Sequence, residues 1–387
     1  MNYLRRISTR SLILVVVAVL AVGVGGAAFA IADNGSGPTP PAKPLDQALN
    51  DAVTAGTPDG VTARIQFTNN LFPSGSVLGQ AGSALLSGAS GRLWLSNDGQ
   101  GRVELQSDSG DVQIVWDSKA ISVYDASSNT VYRATLPANA NGSTGTTSAP
   151  PTVADIDKFL SNLAADWTVS GAQPTDIAGQ PAYSVSVSPK HDGGLLGSLQ
   201  LAWDANHGIP LRVGIYAQGA TTPVLELAVT DISYGPVATS DVNVSPPAGA
   251  KVVDLSSAGP TGSSGSTTPA VTGLAAVKAA ANFPVVAPDS LVGLPLQDVR
   301  LVGGDTALAF YGQGLGGIVL VERAAGATQN SSGALSNLPT ISLDGVTAHE
   351  LSTPLGSVLE WNSGGTTFVL AGSLPAAAAE TAARAVK

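Results

Sequence analysis

The residues able to do chemistry are few and widely spaced. Gly312-Gln-Gly-Leu-Gly-Gly317 satisfies the G-x-G-x-x-G dinucleotide pattern. That pattern works where a strand turns into a helix whose N-terminus faces a pyrophosphate, whereas Ile318 to Glu322 reads as a strand, so a glycine hairpin is expected. There is no G-x-x-x-x-G-K phosphate loop and no G-x-S-x-G nucleophile elbow. The three histidines, His191, His207 and His349, form no H-x-x-x-H pair, and His191 and His207 read as solvated loop residues. Asp155 and Asp157 sit at a helix start, where carboxylates favour the helix dipole more simply than they serve acid–base catalysis. Asn97-Asp98-Gly99 lacks further ligands at calcium-loop spacing and reads as a turn. No nucleophile, base and oxyanion donor assemble into a set, so no enzyme, cofactor or metal is expected.

Composition sets the compartment. Met1 to Arg10 carries Arg5, Arg6 and Arg10 without an acid, and Ser11 to Ala32 carries no charge. This is a basic tail at 1–10 and an apolar export segment at 11–32. Leu12 to Ala32 matches the roughly 20 residues a spanning helix needs. Ala28-Phe29-Ala30 and Ala30-Ile31-Ala32 match small-x-small cleavage patterns. The segment is therefore a single-pass anchor in the cytoplasmic membrane, with everything after it outside the cytoplasm, or a signal peptide cleaved near Ala30 or Ala32. With no cysteine, an oxidising compartment supplies no disulfide and no lipid anchor through one. Of the 18 basic residues, three lie in the tail, against 28 acids. Nucleic acid is thus a poor partner for the exported part.

Two polar, Pro/Gly/Ser-rich breaks divide the remainder. Residues 33–44 read as an extended tether of roughly 37 Å at about 3.1 Å per residue, and 256–269 as a flexible linker. They delimit a first domain at 45–255 and a small α+β domain at 270–387. In the first, Leu45 to Val53 has helical spacing. Period-2 alternation marks strands around 61–67, 92–96, 101–106, 112–116 and 121–124, then at 181–188, 197–203, 211–217, 224–233 and 241–245. Between the two groups, Ala138 to Ala149 has the composition of a disordered stretch. After it, Thr152 and Asp155 form a capping box ahead of a helix from 153 to about 166 bearing Ile156, Phe159, Leu160 and Leu163. The second domain is expected to hold helices at 271–281 and 375–386, with strands near 298–302, 306–311, 317–322, 346–351, 356–361 and 366–371.

Several phrases in the first domain, taken in order, resemble the LolA lipoprotein-carrier family and its RseB-type relatives. They are Gly91-Arg-Leu-Trp-Leu-Ser-Asn-Asp98, Ile114-Val-Trp-Asp117 with Val123-Tyr-Asp125, Trp203-Asp204 with Gly208-Ile-Pro-Leu211, and Val242-Asn-Val-Ser-Pro-Pro-Ala-Gly249. The resemblance covers about residues 45–250. It implies an α+β fold: an incomplete antiparallel β-barrel whose concave apolar face, lidded by helices, receives a lipid or lipoprotein acyl chain. Where the carrier has an arginine just after the G-x-L-W-V strand, this chain has Asn97. The second domain loosely resembles the small C-terminal RseB-type module, through Phe310-Tyr-Gly-Gln-Gly-Leu315 and Leu359-Glu-Trp361 with Gly364-Gly-Thr366, which implies an envelope-protein partner at 270–387. Alternation then nominates lining residues for a lipid cavity: Ile65, Phe67, Leu93, Leu95, Ile114, Trp116 and Val123 from strands, Phe159 and Leu160 from the helix. The same alternation equally describes an ordinary packed core.

Overall fold

A computed structural model describes residues 37–72, 84–135, 152–191, 193–255, 271–325 and 338–386. The basic tail, the apolar segment at 11–32, the start of the tether, the stretch at 138–149 and the linker at 256–269 lie outside the described residues. Among the described residues no helix is long and apolar enough to cross a membrane.

The first domain begins with helix α1 (Leu45–Thr54) and strand β1 (Gly60–Asn69), then a single helical turn α2 (Ala84–Ser87). A meander follows: β2 (Ala89–Ser96), β3 (Gly101–Gln106), β4 (Val112–Trp116), β5 (Ala120–Asp125) and β6 (Thr130–Thr135). Helix α3 (Val153–Asp166) begins at the expected capping box. The Thr152 Oγ1 accepts from the Asp155 N–H at 3.3 Å, and the Asp155 carboxylate accepts from the Thr152 N–H at 3.1 Å. Next come β7 (Trp167–Val169), β8 (Gln173–Ile177), β9 (Gln180–Pro189), β10 (Leu196–Asp204), β11 (Pro210–Ala217), β12 (Leu225–Tyr234), the turn α4 (Thr239–Val242) and β13 (Lys251–Asp254).

These strands form one sheet in the order β13-β6-β5-β4-β3-β2-β1-β12-β11-β10-β9-β7, with β8 also on β9. Every pair is antiparallel except β13 on β6. The two ends do not pair, so the sheet is unclosed. The strand expected at 241–245 is absent: Thr239–Val242 is a helical turn, and Pro246 and Pro247 have no N–H to give a ladder. The domain's last strand instead forms at β13. Between β1 and β12 the register shifts after Arg64, which pairs with Asp231 while Ile65 pairs with Val229, leaving Thr230 as a one-residue bulge.

The lidding helices that the resemblance implies are not found over most of the apolar face. α1 covers only its β9–β10 end, where Ala48 packs with Tyr183, Val185 and Trp203. α3 packs on α1 and β7. Its inward stripe is Ile156, Leu160 and Leu163, and Phe159 stands 58% exposed.

The second domain comprises β14 (Val271–Thr272), α5 (Leu274–Ala280), β15 (Ser290–Leu291), β16 (Leu294–Val302), β17 (Thr306–Tyr311), β18 (Ile318–Ala324), β19 (Thr340–Leu343), β20 (Val346–Thr353), β21 (Gly356–Ser363), β22 (Thr366–Gly372) and α6 (Ala376–Arg384). Its sheet runs β14-β16-β17-β18-β22-β21-β20-β19. Val277 of α5 and Ala379, Ala382 and Ala383 of α6 pack with Leu320, Leu359 and Leu370. The small residues let α6 lie close to the sheet. Gly314–Gly316 is a 3-10 turn leading into β18, the hairpin expected in place of a dinucleotide loop. Glu322 is fully buried, and its carboxylate accepts the N–H groups of Val286 at 2.7 Å and Ala287 at 2.9 Å, which ties the loop before β15 to the sheet.

The two sheets meet, among the described residues, near Leu195 and Ser373. The Leu195 N–H donates to Ser373 Oγ at 2.9 Å, the Ser373 hydroxyl donates to the Leu355 carbonyl at 2.8 Å, and Leu355 packs on the first domain's core. Gly194, at φ +59°, leaves the room Ser373 needs, since a Cβ there would lie 2.6 Å from its Oγ.

Candidate functional site

Directly opposed residues of antiparallel strands share a face, so the register reads out the composition of each side of the first sheet. One row runs Val185–Leu201–Val213–Leu227–Phe67–Ala89 across β9, β10, β11, β12, β1 and β2. Beside it lies Val187–Leu199–Ile215–Leu225. Further along, Ile232–Ala63–Leu93–Val103–Ile114–Val123 and Tyr234–Val61–Leu95–Gly101–Trp116–Ile121 continue the same face. Seven of the nine nominated residues therefore lie together on one apolar surface. Phe159 and Leu160 do not join them: both belong to α3, which packs elsewhere.

That surface is not uniformly open. Ile65, Phe67, Ile114 and Trp116 are 1–3% exposed, and Leu93, Leu95 and Val123 are partly buried. These seven belong to a filled core, each fully buried large side chain stabilising it by about 1.5–3 kcal/mol. The face opens toward β10, where Leu199 and Leu201 are each 37% exposed and Val213, Ile215 and Leu227 half-buried. Sequence reading missed these residues as lining candidates, although Leu199, Leu201 and Trp203 alternate as clearly as the strands that were nominated.

The opposite face is polar. Gln66, Arg64, Arg92, Trp94, Arg102 and Glu104 line a groove of about 520 Å³ over β1–β3. A second hollow of about 390 Å³ lies between β4–β6 and the Val242–Pro246 segment, lined by Gln113, Ser122, Tyr124 and Arg133 among others. Of the nominated apolar residues, only Ile65 borders the first of these hollows and Trp116 the second.

At the β10–β11 turn, fully buried Asp204 accepts from the Tyr234 hydroxyl at 2.5 Å and from the N–H groups of Asn206 and His207 at 2.7 and 3.0 Å. Burial, reinforced by the Asp204 carboxylate, holds the Tyr234 phenol well above its ordinary range. The His207 ring stacks on Tyr234 at 3.9 Å between centroids, so His207 is part of a turn-closing cluster rather than the solvated residue expected. No substrate-sized space adjoins it in either hollow. Asp98 closes the β2–β3 turn as expected: hydrogen bonds from the Ser96 hydroxyl and then the Gln100 N–H hold its carboxyl below the usual range. Among the described residues no group of His, Asp and Glu is arranged to hold a metal.

No family model and no curated protein match the chain. Among solved structures it is similar to MucB in complex with MucA(peri), at 16% identity over 88% of this chain and 97% of that one, with a TM-score of 0.41. The Pseudomonas aeruginosa MucA/MucB complex matches at 15% identity over 88% and 96%, also at 0.41. A LolA superfamily protein from Nitrosomonas europaea matches at 11% identity over 52% of this chain and 99% of its own, at 0.22.

Proposed function

We propose that the chain is a non-catalytic extracytoplasmic binding protein whose first domain holds a lipid or lipoprotein acyl chain on its apolar sheet face. The observation that carries this reading is the unbroken row from buried Phe67 through Leu227 and Val213 to half-open Leu201. An acyl chain laid along β10–β12 meets only hydrocarbon and covers side chains that now face water, a gain of about 25 cal/mol per Å² of apolar surface. The ordered phrases resembling LolA-type carriers supply the ligand class. The export segment at 11–32 supplies the compartment: cleaved near Ala30 or Ala32 it leaves a shuttle, and retained it leaves a protein held within the reach of its tether. Native mass spectrometry of the protein purified gently from a bacterial envelope tests the reading. The wild type should carry a discrete lipid mass that Leu201→Arg removes without lowering the melting temperature. A bare mass with no uptake of added lipid would sink it.

A second reading, regulation through an envelope-protein partner at 270–387, is favoured by the joint at Leu195, Ser373 and Leu355, which seats the second domain on the first. On that reading, removal of 270–387 abolishes partner capture from membranes and leaves lipid binding intact. Capture that survives the deletion counts against it.

A further inference from the structure

The groove on the polar face of β1–β3 brings together three of the chain's 18 basic residues. Arg64, Arg92 and Arg102 all line it, on a protein of net charge −10. Arg102 is already committed. Its Nη2 is paired with Glu104, its Nη1 donates to the Asp241 carbonyl at 3.2 Å, and its guanidinium lies 4.9 Å from the Trp94 ring centroid. Glu104 is the residue directly opposite Arg92, so Arg102 takes the acid that Arg92 would otherwise use. On its other side Arg92 faces Arg64, again directly opposite. Arg64 reaches only Asp231, at 3.9 Å with both side chains about two-thirds exposed, a pair worth little in water. Among the described residues Arg92 has no ion-pair partner. Like charges directly opposed across a sheet are destabilising, and here they border an open groove.

We propose that this groove is a phosphate-binding site, taking a phosphate group between the guanidinium groups of Arg64 and Arg92 with the neighbouring portion of the ligand against Trp94. Two features select phosphate over a carboxylate. Guanidinium forks match its oxygens bidentately, and a phosphate monoester carries about −1.5 to −2 charge, which answers two arginines where a carboxylate answers one. Arg102 is held by Glu104 and the Asp241 carbonyl, and with the Glu104 carboxylate offsetting its charge it leaves the anion to Arg64 and Arg92. The source of the phosphate is a soluble ester or a lipid headgroup. The site is on the face of the sheet opposite the acyl-chain surface and stands independently of it.

Equilibrium dialysis of the full-length protein against radiolabelled inorganic phosphate, and flotation with phosphatidylcholine vesicles with and without phosphatidic acid, test the site. Arg64→Gln and Arg92→Gln are the variants, with Arg300→Gln on the second domain as control. Both positions are exposed and each change removes one of two opposed like charges, so the variants should melt no lower than the wild type. Retention of inorganic phosphate, weakened about tenfold or more in both variants and unchanged in the control, establishes the site and a soluble source. Phosphatidic-acid-dependent flotation that both variants lose establishes a headgroup source. Absence of both signals, or signals that survive both substitutions, overturns the proposal.

Discussion

Gly101 and Trp116 face one another across β3 and β4, and a Cβ at Gly101 would lie 2.1 Å from Cζ2 of Trp116. The indole occupies the space that any other residue at 101 would fill. Gly101→Ala is expected to destabilise the first domain by about 1–3 kcal/mol through overpacking. A denaturant midpoint that does not move would show that the ring can step aside.

The buried acid of the second domain predicts a pH dependence of unusual sign. Burial pushes the Glu322 carboxyl up, and the N–H groups of Val286 and Ala287, with Lys278 beyond them, offset only part of that. A folded-state value above the unfolded one makes its contribution to stability full below about pH 4.5 and lost as pH rises through the folded value. Thermal melts from pH 4 to 7 should show this loss in the wild type and a flatter profile in Glu322→Gln. Identical profiles would assign the titration to another group.

The capping box of α3 should be separable from the sheet. Thr152→Ala removes the acceptor for the Asp155 N–H and is expected to cost about 0.5–2 kcal/mol of local stability. Hydrogen exchange should speed up in 153–160 while β1–β4 amides stay protected. Equal acceleration in both would mean that α3 is integral to the core.

Tyr234 holds Asp204 in a fully buried site. Tyr234→Phe leaves that carboxylate with its two backbone donors and is expected to cost about 1–3 kcal/mol. In the wild type, spectrophotometric titration should find several tyrosines, Tyr234 and the buried Tyr311 among them, that resist ionisation beyond the pH at which exposed phenols have titrated, and Tyr234→Phe should show one fewer. An unchanged number of resistant tyrosines would show that Tyr234 is not among them.

Much of the strand pattern was readable because alternation is a local signal. β3 and β4 fall on the residues expected, and the shared face of Ile65, Leu93, Ile114 and Trp116 follows from period 2. β7 and β19 escaped notice because strands of three or four residues offer too few alternations, β8 because Gln173 to Ile177 carries a proline and no apolar alternation, and β6 because Thr130 to Thr135 mixes both classes. Phe159 was misplaced because its i+3 spacing from Ile156 reads as part of the apolar stripe, whereas α3 packs through Ile156, Leu160 and Leu163 and leaves Phe159 exposed. Exposure was not readable at all. That Phe67 is sealed while Leu201 is half open depends on which strands and helices lie beside them, and Phe67 pairs with Leu227, more than a hundred residues away in sequence. The opposition of Arg64 to Arg92, and the diversion of Glu104 to Arg102, likewise exist only once register is fixed.

Thr230 keeps the two halves of the first sheet in phase. Because β12 carries one extra residue there, Leu227 and Val229 on one side and Ile232 and Tyr234 on the other all point to the same surface. Without it, the parity of β12 would invert partway along, sending Ile232 and Tyr234 to the wet side or forcing β1 to slip by one. The position is therefore indifferent to the kind of side chain it carries and intolerant of a change in length: an alanine there is silent, whereas a single-codon deletion reassigns half a strand.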